Sequence, residues 1–312
     1  DIGVTGVQTC ALPILAAQPS TQASNISFPD HTPTSLTVSW TNGNGAERLV
    51  IAREGSAVSV NPAGGTTYTG NANFLLAADL GAGNKVVYRG TANSVAVTNL
   101  TPGTEYFFRV YELNGTAELT SYQTNTASGN PNSRIQLQAE PSAHPATFTA
   151  TSVSNTQVSL SFSPASAVTN GFGYIILRRQ DGSNPSVTGI TDSAAPASLS
   201  FPTGTTLITN ITSSSQTTHT DGGLTTGTQY SYLIVPYNGN STGTYNYKTD
   251  GTLRTASATP TASGTSDIVA ASFTYPVNIP YQNYQSTDLT IANSVEAGRF
   301  TIRDGGEATD AD

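Results

Sequence analysis

The residue types that most often carry proton transfer or metal binding are sparse in this chain. Its three histidines, His31, His144 and His219, are far apart and share no HxH or HExxH spacing. The chain has one cysteine, Cys10, so a zinc site, which draws on cysteine and histidine, would lack ligands. The serines are assigned to turns and surfaces, with no nucleophile elbow expected among them. We therefore expect solvent-facing loop positions for the histidines and no catalytic residue.

Paired carboxylates are a second route to chemistry, because glycoside hydrolysis uses two carboxyl groups on either side of a cleft. Five glutamates are spread over predicted strands and turns in the first half of the chain: Glu47, Glu54, Glu105, Glu112 and Glu118. Nothing in their spacing brings two of them together. They are therefore predicted to be solvated charges on strand faces.

The last residues of the chain form its densest acidic cluster: Asp304, Glu307, Asp310 and Asp312. Oxygen ligands this close together suit calcium, which makes these four the candidate metal ligands. Their spacing does not match that of an EF-hand loop. A solvated loop is the simpler explanation, and we predict no bound metal and no cofactor.

An aromatic stripe is the candidate for ligand contact. Side chains alternate between the two faces of a strand, so Phe107 and Tyr111 face outward with Arg109 if Tyr106 and Phe108 face inward. Such a stripe could stack on a sugar ring, as could Trp40 if it is exposed. We prefer the explanation that a neighbouring module half covers this sheet face, since single exposed apolar residues are common.

Strands must position these residues, because the composition is that of an all-β, turn-rich protein. Charged residues make up 10% of the chain, against about 25% in an average domain. The formal net charge is -8 and the lysines are Lys85 and Lys248, which argues against nucleic acid or an anionic membrane as partner. No apolar run approaches the length of a membrane-spanning helix, which needs about 18 residues.

A repeat defines the organisation of the chain. Leu100-Thr-Pro-Gly-Thr-Glu-Tyr106 recurs as Leu224-Thr-Thr-Gly-Thr-Gln-Tyr230, and the likeness continues through Asn114-Gly115 and Asn238-Gly239. In each copy a turn leads into a strand with alternating large side chains. A repeat of this kind indicates that each copy is one structural module.

Short alternating segments predict the other strands of each copy. In the first copy they are 25–28, 35–40, 47–53, 94–100 and 106–112, with a closing strand near 122–128. In the second copy they are 147–152, 157–162, 174–178 and 252–259, with a strand that begins at Tyr230. Residues 55–90 are predicted to form long loops with a short strand or two.

Both copies resemble fibronectin type III domains, in which an aromatic residue of the second strand packs across the sandwich and a Leu-x-Pro-Gly-x-x-Tyr turn forms a tyrosine corner. The resemblance assigns these structural roles in the first copy to Trp40, Leu100, Pro102, Gly103 and Tyr106. In the second copy it assigns them to Phe162, Leu224, Gly227 and Tyr230. The second copy departs from the pattern twice, with Phe162 in place of tryptophan and Thr226 in place of proline.

The corner has a physical purpose, since the tyrosine buries its ring while its hydroxyl bonds to backbone. The fold class implied by the resemblance is all-β, with tandem immunoglobulin-like sandwiches. We assign residues 25–132 to the first module and 147–261 to the second, with linkers at 15–24 and 133–146. Residues 262–312 resemble the opening of a different β-domain. They are too few to complete a sandwich of about 100 residues, so we expect a truncated domain.

The beginning of the chain has a different character. Residues 1–14 resemble a translated sequencing adapter, so we expect them to be an artefact. The alternatives are the tail of a secretory signal peptide and a lipobox cysteine. The chain contains no methionine, and we expect it to be a fragment or a processed product.

Finer sequence features, with Thr66-Thr-Tyr-Thr69 and with Gly115 after a long aromatic strand, are similar to those of tandem modules in large secreted and surface proteins of Bacteroidota-type bacteria. This resemblance implies non-catalytic structural and adhesion spacers at an extracellular or cell-surface location. The partners implied are other domains of the same polypeptide and an extracellular protein or glycan. One alternative is a set of accessory, carbohydrate-contacting modules of a secreted polysaccharide-degrading enzyme. Another is a protein-binding module that pairs through an edge strand.

Overall fold

The computed structural model describes residues 14–165, 172–213 and 215–261. The predicted artefact at 1–14, apart from Ile14, and the predicted truncated domain at 262–312 lie outside the described residues. The described chain forms two β-sandwiches in tandem, and both belong to one compact unit. No helix in these described ranges is long and apolar enough to cross a membrane.

The first sandwich is built from antiparallel strands. They are β1 (Ser24–Ser27), β2 (Ser35–Thr41), β3 (Glu47–Glu54), β4 (Ala78–Asp79), β5 (Lys85–Gly90), β6 (Ser94–Thr98), β7 (Glu105–Asn114), β8 (Ser121–Tyr122) and β9 (Asn132–Ile135). One sheet has the order β1-β2-β6. The other has the order β4-β5-β3-β7-β8, and β9 also pairs with β7. The core between them contains Trp40, Val50, Phe74, Tyr106 and Phe108.

The second sandwich repeats this plan. Its strands are β10 (Phe148–Ser154), β11 (Gln157–Phe162), β12 (Gly173–Arg179), β13 (Thr205–Ile211), β14 (Thr218–Asp221), β15 (Tyr230–Asn238), β16 (Asn246–Tyr247) and β17 (Arg254–Ala258). The smaller sheet has the order β10-β11-β14. The larger sheet has the order β13-β12-β15-β16, and β17 pairs with β15. Phe162, Tyr174 and Tyr230 lie in the core between them.

A long segment of each module covers the outer face of its larger sheet. In the first module Val58, Tyr68 and Leu80 pack on a second cluster that contains Ile51 and Tyr111. In the second module, residues of the segment between β12 and β13 cover the equivalent face: Val187, Ile190, Leu199 and Phe201. The central strands β3 and β12 are therefore apolar on both faces, and each module has three layers.

Most predicted strands of the first module are confirmed, but the closing strand near 122–128 is wrong. The chain pairs with β7 at β8, leaves the sheet, and pairs with β7 again at β9. Between the two, the buried side chain of Asn130 accepts from the Val110 backbone N–H at 3.1 Å and donates to the Val110 carbonyl at 2.8 Å. One amide side chain thus takes the place of a strand residue, which no alternating pattern could reveal.

The two segments assigned to linkers make ordered contacts. Gln18 donates to the Tyr122 carbonyl at 2.6 Å, and Gln123 donates to the Pro19 carbonyl at 2.9 Å. The segment before β1 therefore runs along the edge of the larger sheet. At the other end of the module, β9 extends to Ile135, beyond the boundary proposed at residue 132.

Candidate functional site

The corner of the first module is held by a buried tyrosine. Tyr106 is 0% exposed and begins the inward-facing series of β7. Its hydroxyl accepts from the Thr101 backbone N–H at 2.9 Å, and its burial raises the pKa of the phenol. Leu100 is buried beside it and donates its backbone N–H to the Thr34 carbonyl at 2.9 Å. The bond ties the corner to the chain just before β2.

The corner of the second module repeats these contacts atom for atom. The Tyr230 hydroxyl accepts from the Thr225 backbone N–H at 3.0 Å. Leu224 is buried and donates its backbone N–H to the Thr156 carbonyl at 3.0 Å. Thr226 takes the place of Pro102 of the first corner without disturbing this geometry, and its hydroxyl donates to the Asn155 carbonyl at 2.7 Å.

The corner glycines have left-handed backbones, with φ of 68° at Gly103 and 77° at Gly227. A Cβ on Gly227 would meet nothing within 4 Å, whereas a Cβ on Gly103 would lie 2.1 Å from Nε2 of Gln138. We expect Gly227→Ala to cost about 1 to 2 kcal/mol of stability, from the backbone conformation alone. Gly103→Ala should cost about as much, because the atoms that its Cβ meets are the end of the flexible Gln138 side chain, which can move aside. Thermal unfolding of both variants measures the two losses, and a much larger loss for Gly103→Ala would show that Gln138 is held in place.

The aromatic residues proposed for sugar contact are largely covered. Trp40 is 4% exposed and lies in the core, in contact with the Tyr88 ring. Tyr111 is 0% exposed; its hydroxyl donates to Asn61 at 3.0 Å and burial raises its pKa to about 12. Tyr111 does lie on the outer face of the sheet, as the alternation predicts, but a segment of its own module covers it, where a neighbouring module was expected to do so. Phe107 remains half-buried.

Glu112 is also not the solvated charge that the sequence predicts. It is 0% exposed, and its carboxylate accepts from Arg48 Nε at 3.0 Å. The same carboxylate accepts from the backbone N–H groups of Gly43 at 2.7 Å and Gly45 at 2.8 Å. Charge-assisted bonds to three donors satisfy the buried carboxylate. This arrangement holds the turn between β2 and β3 and leaves the Glu112 carboxylate without contact with solvent.

A second ion pair ties the two sheets of the second module. Arg178 of β12 donates to Asp221 of β14 at 2.9 Å. The Tyr232 hydroxyl donates to the same carboxylate at 3.0 Å. Burial, and next the negative charge of Asp221, raise the pKa of Tyr232. The Asp221 carboxylate thus has both of its partners within the module, and these contacts hold the two sheets together.

The histidines do not occupy free loop positions, which corrects the expectation from sequence. His219 lies in β14, opposite Leu160 of β11. His144 bonds through Nε2 to the Asp250 carbonyl at 2.7 Å. His31 lies between the two modules, with its Nε2 2.8 Å from Oγ of Ser193 and 2.9 Å from Nη2 of Arg134. The same Arg134 nitrogen lies 3.1 Å from Oγ of Ser193.

The junction between the modules contains no free linker. Leu137 is bonded to the first module, because its carbonyl accepts from the Gly103 backbone N–H at 2.9 Å. The next residue, Gln138, is bonded to the second module: its N–H donates to the Thr244 carbonyl at 2.8 Å, and its carbonyl accepts from Asn246 at 2.8 Å. Lys248 reaches Glu140 at 3.2 Å.

A serine at nucleophile-elbow spacing does occur, against the expectation from sequence. Gly239-Asn-Ser-Thr-Gly243 has the Gly-x-Ser-x-Gly pattern. It forms the turn between β15 and β16, not the strand-to-helix elbow that this chemistry needs. Its Ser241 bonds to Thr244, and within the part of the chain that the structure describes no histidine bonds to Ser241.

Metal chemistry has no support in the described ranges. Residues 14–165, 172–213 and 215–261 hold no group of three or more histidine, cysteine or acidic residues placed for a metal ion. The four candidate calcium ligands, Asp304, Glu307, Asp310 and Asp312, lie outside those ranges.

A family model described as the N-terminal domain of purple acid phosphatase matches residues 21–126, about a third of the chain. The comparison with curated proteins gave no match.

Solved fibronectin type III structures are similar at low identity. The FN1–FN3 domains of chicken CNTN1 are 16% identical, with 78% of this chain and 67% of that one covered and a TM-score of 0.28. A two-domain segment of chicken tenascin is 13% identical, with 74% and 99% covered and a TM-score of 0.30. Similarity at this level assigns no fold, and the two-sandwich architecture rests on the strand pairing within each module.

Proposed function

We propose that the two sandwiches are a non-catalytic spacer within a large secreted or surface-attached bacterial protein, where they hold neighbouring domains apart and take part in adhesion. The observation that carries this proposal is the junction. Leu137 is bonded to one module and Gln138 to the next, so the chain between them has no residue free to act as a flexible tether. A stiff junction suits a spacer, since a flexible linker would leave the separation of the modules undefined.

We expect the two modules to keep one orientation in solution at neutral pH. The test is a distance measurement by pulsed electron paramagnetic resonance on the full chain. Nitroxide labels are placed at Thr91→Cys and Thr212→Cys, two exposed positions in different modules, in a Cys10→Ser background. A control pair, Thr91→Cys with Glu118→Cys, lies within the first module. The proposal expects equally narrow distance distributions for both pairs, and a broad one for the pair across the junction would overturn it.

One observation favours an alternative in which the modules are accessory parts of a secreted hydrolase. Residues 21–126 match the family named for the N-terminal domain of purple acid phosphatase. Direct contact with polysaccharide has less support, because Trp40 and Tyr111 are buried and cannot stack on a sugar ring. Phe107 is the remaining aromatic candidate. Saturable retention of the full chain on an insoluble glycan, lost in Phe107→Ala, would favour this alternative over the spacer.

A further inference from the structure

We propose that one side of the second sandwich binds an extended segment of another protein, which pairs with the edge of β14 and places an amide side chain on Arg178. This side lies between the outer edges of β13 and β14, and we call it the open side. Such binding goes beyond the spacer role and does not depend on the angle between the modules. The first module, which has the same plan of strands, shows how this side can be closed.

In the first module the chain itself closes the equivalent side. Residues 71–79, between β3 and β5, bond to the edges of both sheets. The Val86 carbonyl of β5 accepts from the Asn71 N–H at 3.1 Å, and the Thr98 carbonyl of β6 accepts from the Phe74 N–H at 3.0 Å. The Phe74 side chain is buried in the core. An extended segment therefore fits between the two strand edges of this fold.

In the second module, the part of the chain that the structure describes contains no such closing segment. Residues between β12 and β13 cover the outer face of the larger sheet instead. No described strand pairs with the outer edge of β13 or of β14. The bulge residue of β13, Ile208, is half-buried, whereas the bulge residue of β5, Val87, is 1% exposed. The open side thus leaves part of the apolar core in contact with solvent.

The edge of β14 has hydrogen-bonding groups to offer. The Phe162 N–H donates to the Thr217 carbonyl at 2.9 Å, and in an antiparallel pair such bonds join every second residue. Thr218 and Thr220 therefore point their N–H and carbonyl groups away from β11. No described backbone group bonds to these two residues on that side. The Gln216 side chain donates to the Thr218 carbonyl at 3.0 Å, and it is exposed and can move aside.

The open side also differs from its counterpart in carrying a cation. Arg178 takes the place of Ala52 in the pairing of the central strands, and its guanidinium lies 5.4 Å from the centre of the Tyr230 ring. The first module packs the ring of Phe74 against the corresponding tyrosine, Tyr106, at 5.1 Å. The corner tyrosine of the second module is thus packed by a cation of its own sheet, and a partner strand has no need of an aromatic residue there.

Arg178 determines which side chain suits the partner strand. Its Nη1 donates to both oxygens of Asp221, at 2.9 Å and 3.1 Å, and among the described residues its Nε and Nη2 have no hydrogen-bond partner. The arginine bridges β12 to β14 across the open side, and its side chain is 25% exposed. Because an arginine can only donate, an acceptor must meet these nitrogens. Asp221 already balances the charge, so a neutral amide oxygen suits them.

The test measures the fluorescence anisotropy of a labelled synthetic peptide that is titrated with the full chain. The peptide has the sequence of residues 69–80 with Phe74→Gln, and a comparison peptide has Phe74→Leu. The glutamine peptide should bind saturably. It should bind about tenfold more tightly than the leucine peptide, which is the effect of one hydrogen bond to a charged group. Both affinities should be modest, since β14 is short and pairs with few residues.

A proline variant locates the binding site. Thr220→Pro removes an outward N–H and leaves the bonds to β11 in place, so it should weaken the glutamine peptide at least about tenfold. Ala96→Pro is the matched change in β6 of the first module, because Ala96 lies opposite Thr37 as Thr220 lies opposite Ser159. This control should bind as tightly as the parent. Circular dichroism verifies that both variants are folded.

Amide hydrogen exchange tests the same site without a substitution. In the free parent the Thr220 N–H should exchange quickly, and an excess of the glutamine peptide should slow it at least about tenfold. The Thr98 N–H, which donates to the Ala72 carbonyl at 2.9 Å, should exchange slowly with or without the peptide.

Four results would overturn the proposal. They are the absence of saturable binding, equal affinities for the two peptides, unchanged binding in Thr220→Pro, and exchange at Thr220 that the peptide does not slow. Slow exchange at Thr220 that depends on chain concentration would show that a second copy occupies the edge, which also excludes the proposed partner. The spacer is tested separately by the distances between the spin labels and stands or falls without these results.

Discussion

Replacing Tyr106 by alanine is expected to cost the first sandwich about 3 to 5 kcal/mol of its free energy of unfolding. The side chain is completely buried, and its ring meets that of Phe74 edge-on at 5.1 Å between centroids. Alanine would leave a cavity, and the Thr101 N–H would lose the hydroxyl to which it now donates a hydrogen bond. The measurement is a urea titration followed by the fluorescence of Trp40. This residue is the only tryptophan of the chain and lies in the same core, so it reports on the first module.

Two variants separate the causes of this loss. Tyr106→Phe keeps the ring and removes the hydroxyl, so it should cost about 1 kcal/mol, the usual worth of one hydrogen bond. Tyr230→Ala makes the matched change in the second module and should leave the Trp40 transition nearly in place, while far-ultraviolet circular dichroism records its effect. Equal losses in the phenylalanine and alanine variants would refute the importance of the buried ring. A matching shift of the Trp40 transition in Tyr230→Ala would show that both modules unfold together.

The fold was predictable from the sequence where its determinants are local. Seven consecutive residues determine each tyrosine corner, because the leucine, the glycine with a left-handed backbone and the tyrosine all lie in one turn and the start of the strand that follows it. Tyr106 accepts from Thr101 and Tyr230 from Thr225, five residues away in each case. The strands at 35–40 and 157–162 could also be predicted, because one face of each packs on the core and its residues therefore alternate between apolar and polar.

Contacts between distant segments could not be predicted. Both faces of β7 are buried at Tyr111, whereas alternation predicts only that this side chain faces outward, where a neighbouring module was expected to half cover it. The residues that cover it, Val58, Tyr68 and Leu80, lie in a segment without a periodic pattern. The bond between Glu112 and Arg48 spans 64 residues, and that between His31 and Ser193 spans 162. The residues next to them in the sequence do not indicate these partners. The buried carboxylate of Glu112 was therefore predicted to be solvated.

The buried ion pair carries the second large expected effect. Arg48→Met should cost the first module about 3 to 5 kcal/mol, because it leaves the Glu112 carboxylate buried without its cation. The backbone around Glu112 is closely packed, so admitting a water molecule to solvate the carboxylate would cost free energy. A Cβ on Gly43 would already come within 2.2 Å of the Thr21 carbonyl oxygen, so the chain is tightly packed around this carboxylate. The same urea titration with Trp40 fluorescence measures the loss.

Three companion variants assign the cost of Arg48→Met to the stranded charge. Glu112→Gln should be milder, because Arg48 keeps its bonds to the carbonyls of Thr91 at 3.1 Å and Gly45 at 3.3 Å. The double variant should recover part of the loss of Arg48→Met, since no charge then remains buried. Lys85→Met removes the more exposed pair with Asp79 in the same module and should be nearly indistinguishable from the parent. A double variant no more stable than Arg48→Met would mean that lost packing of the arginine stem, and not the carboxylate, determines the effect.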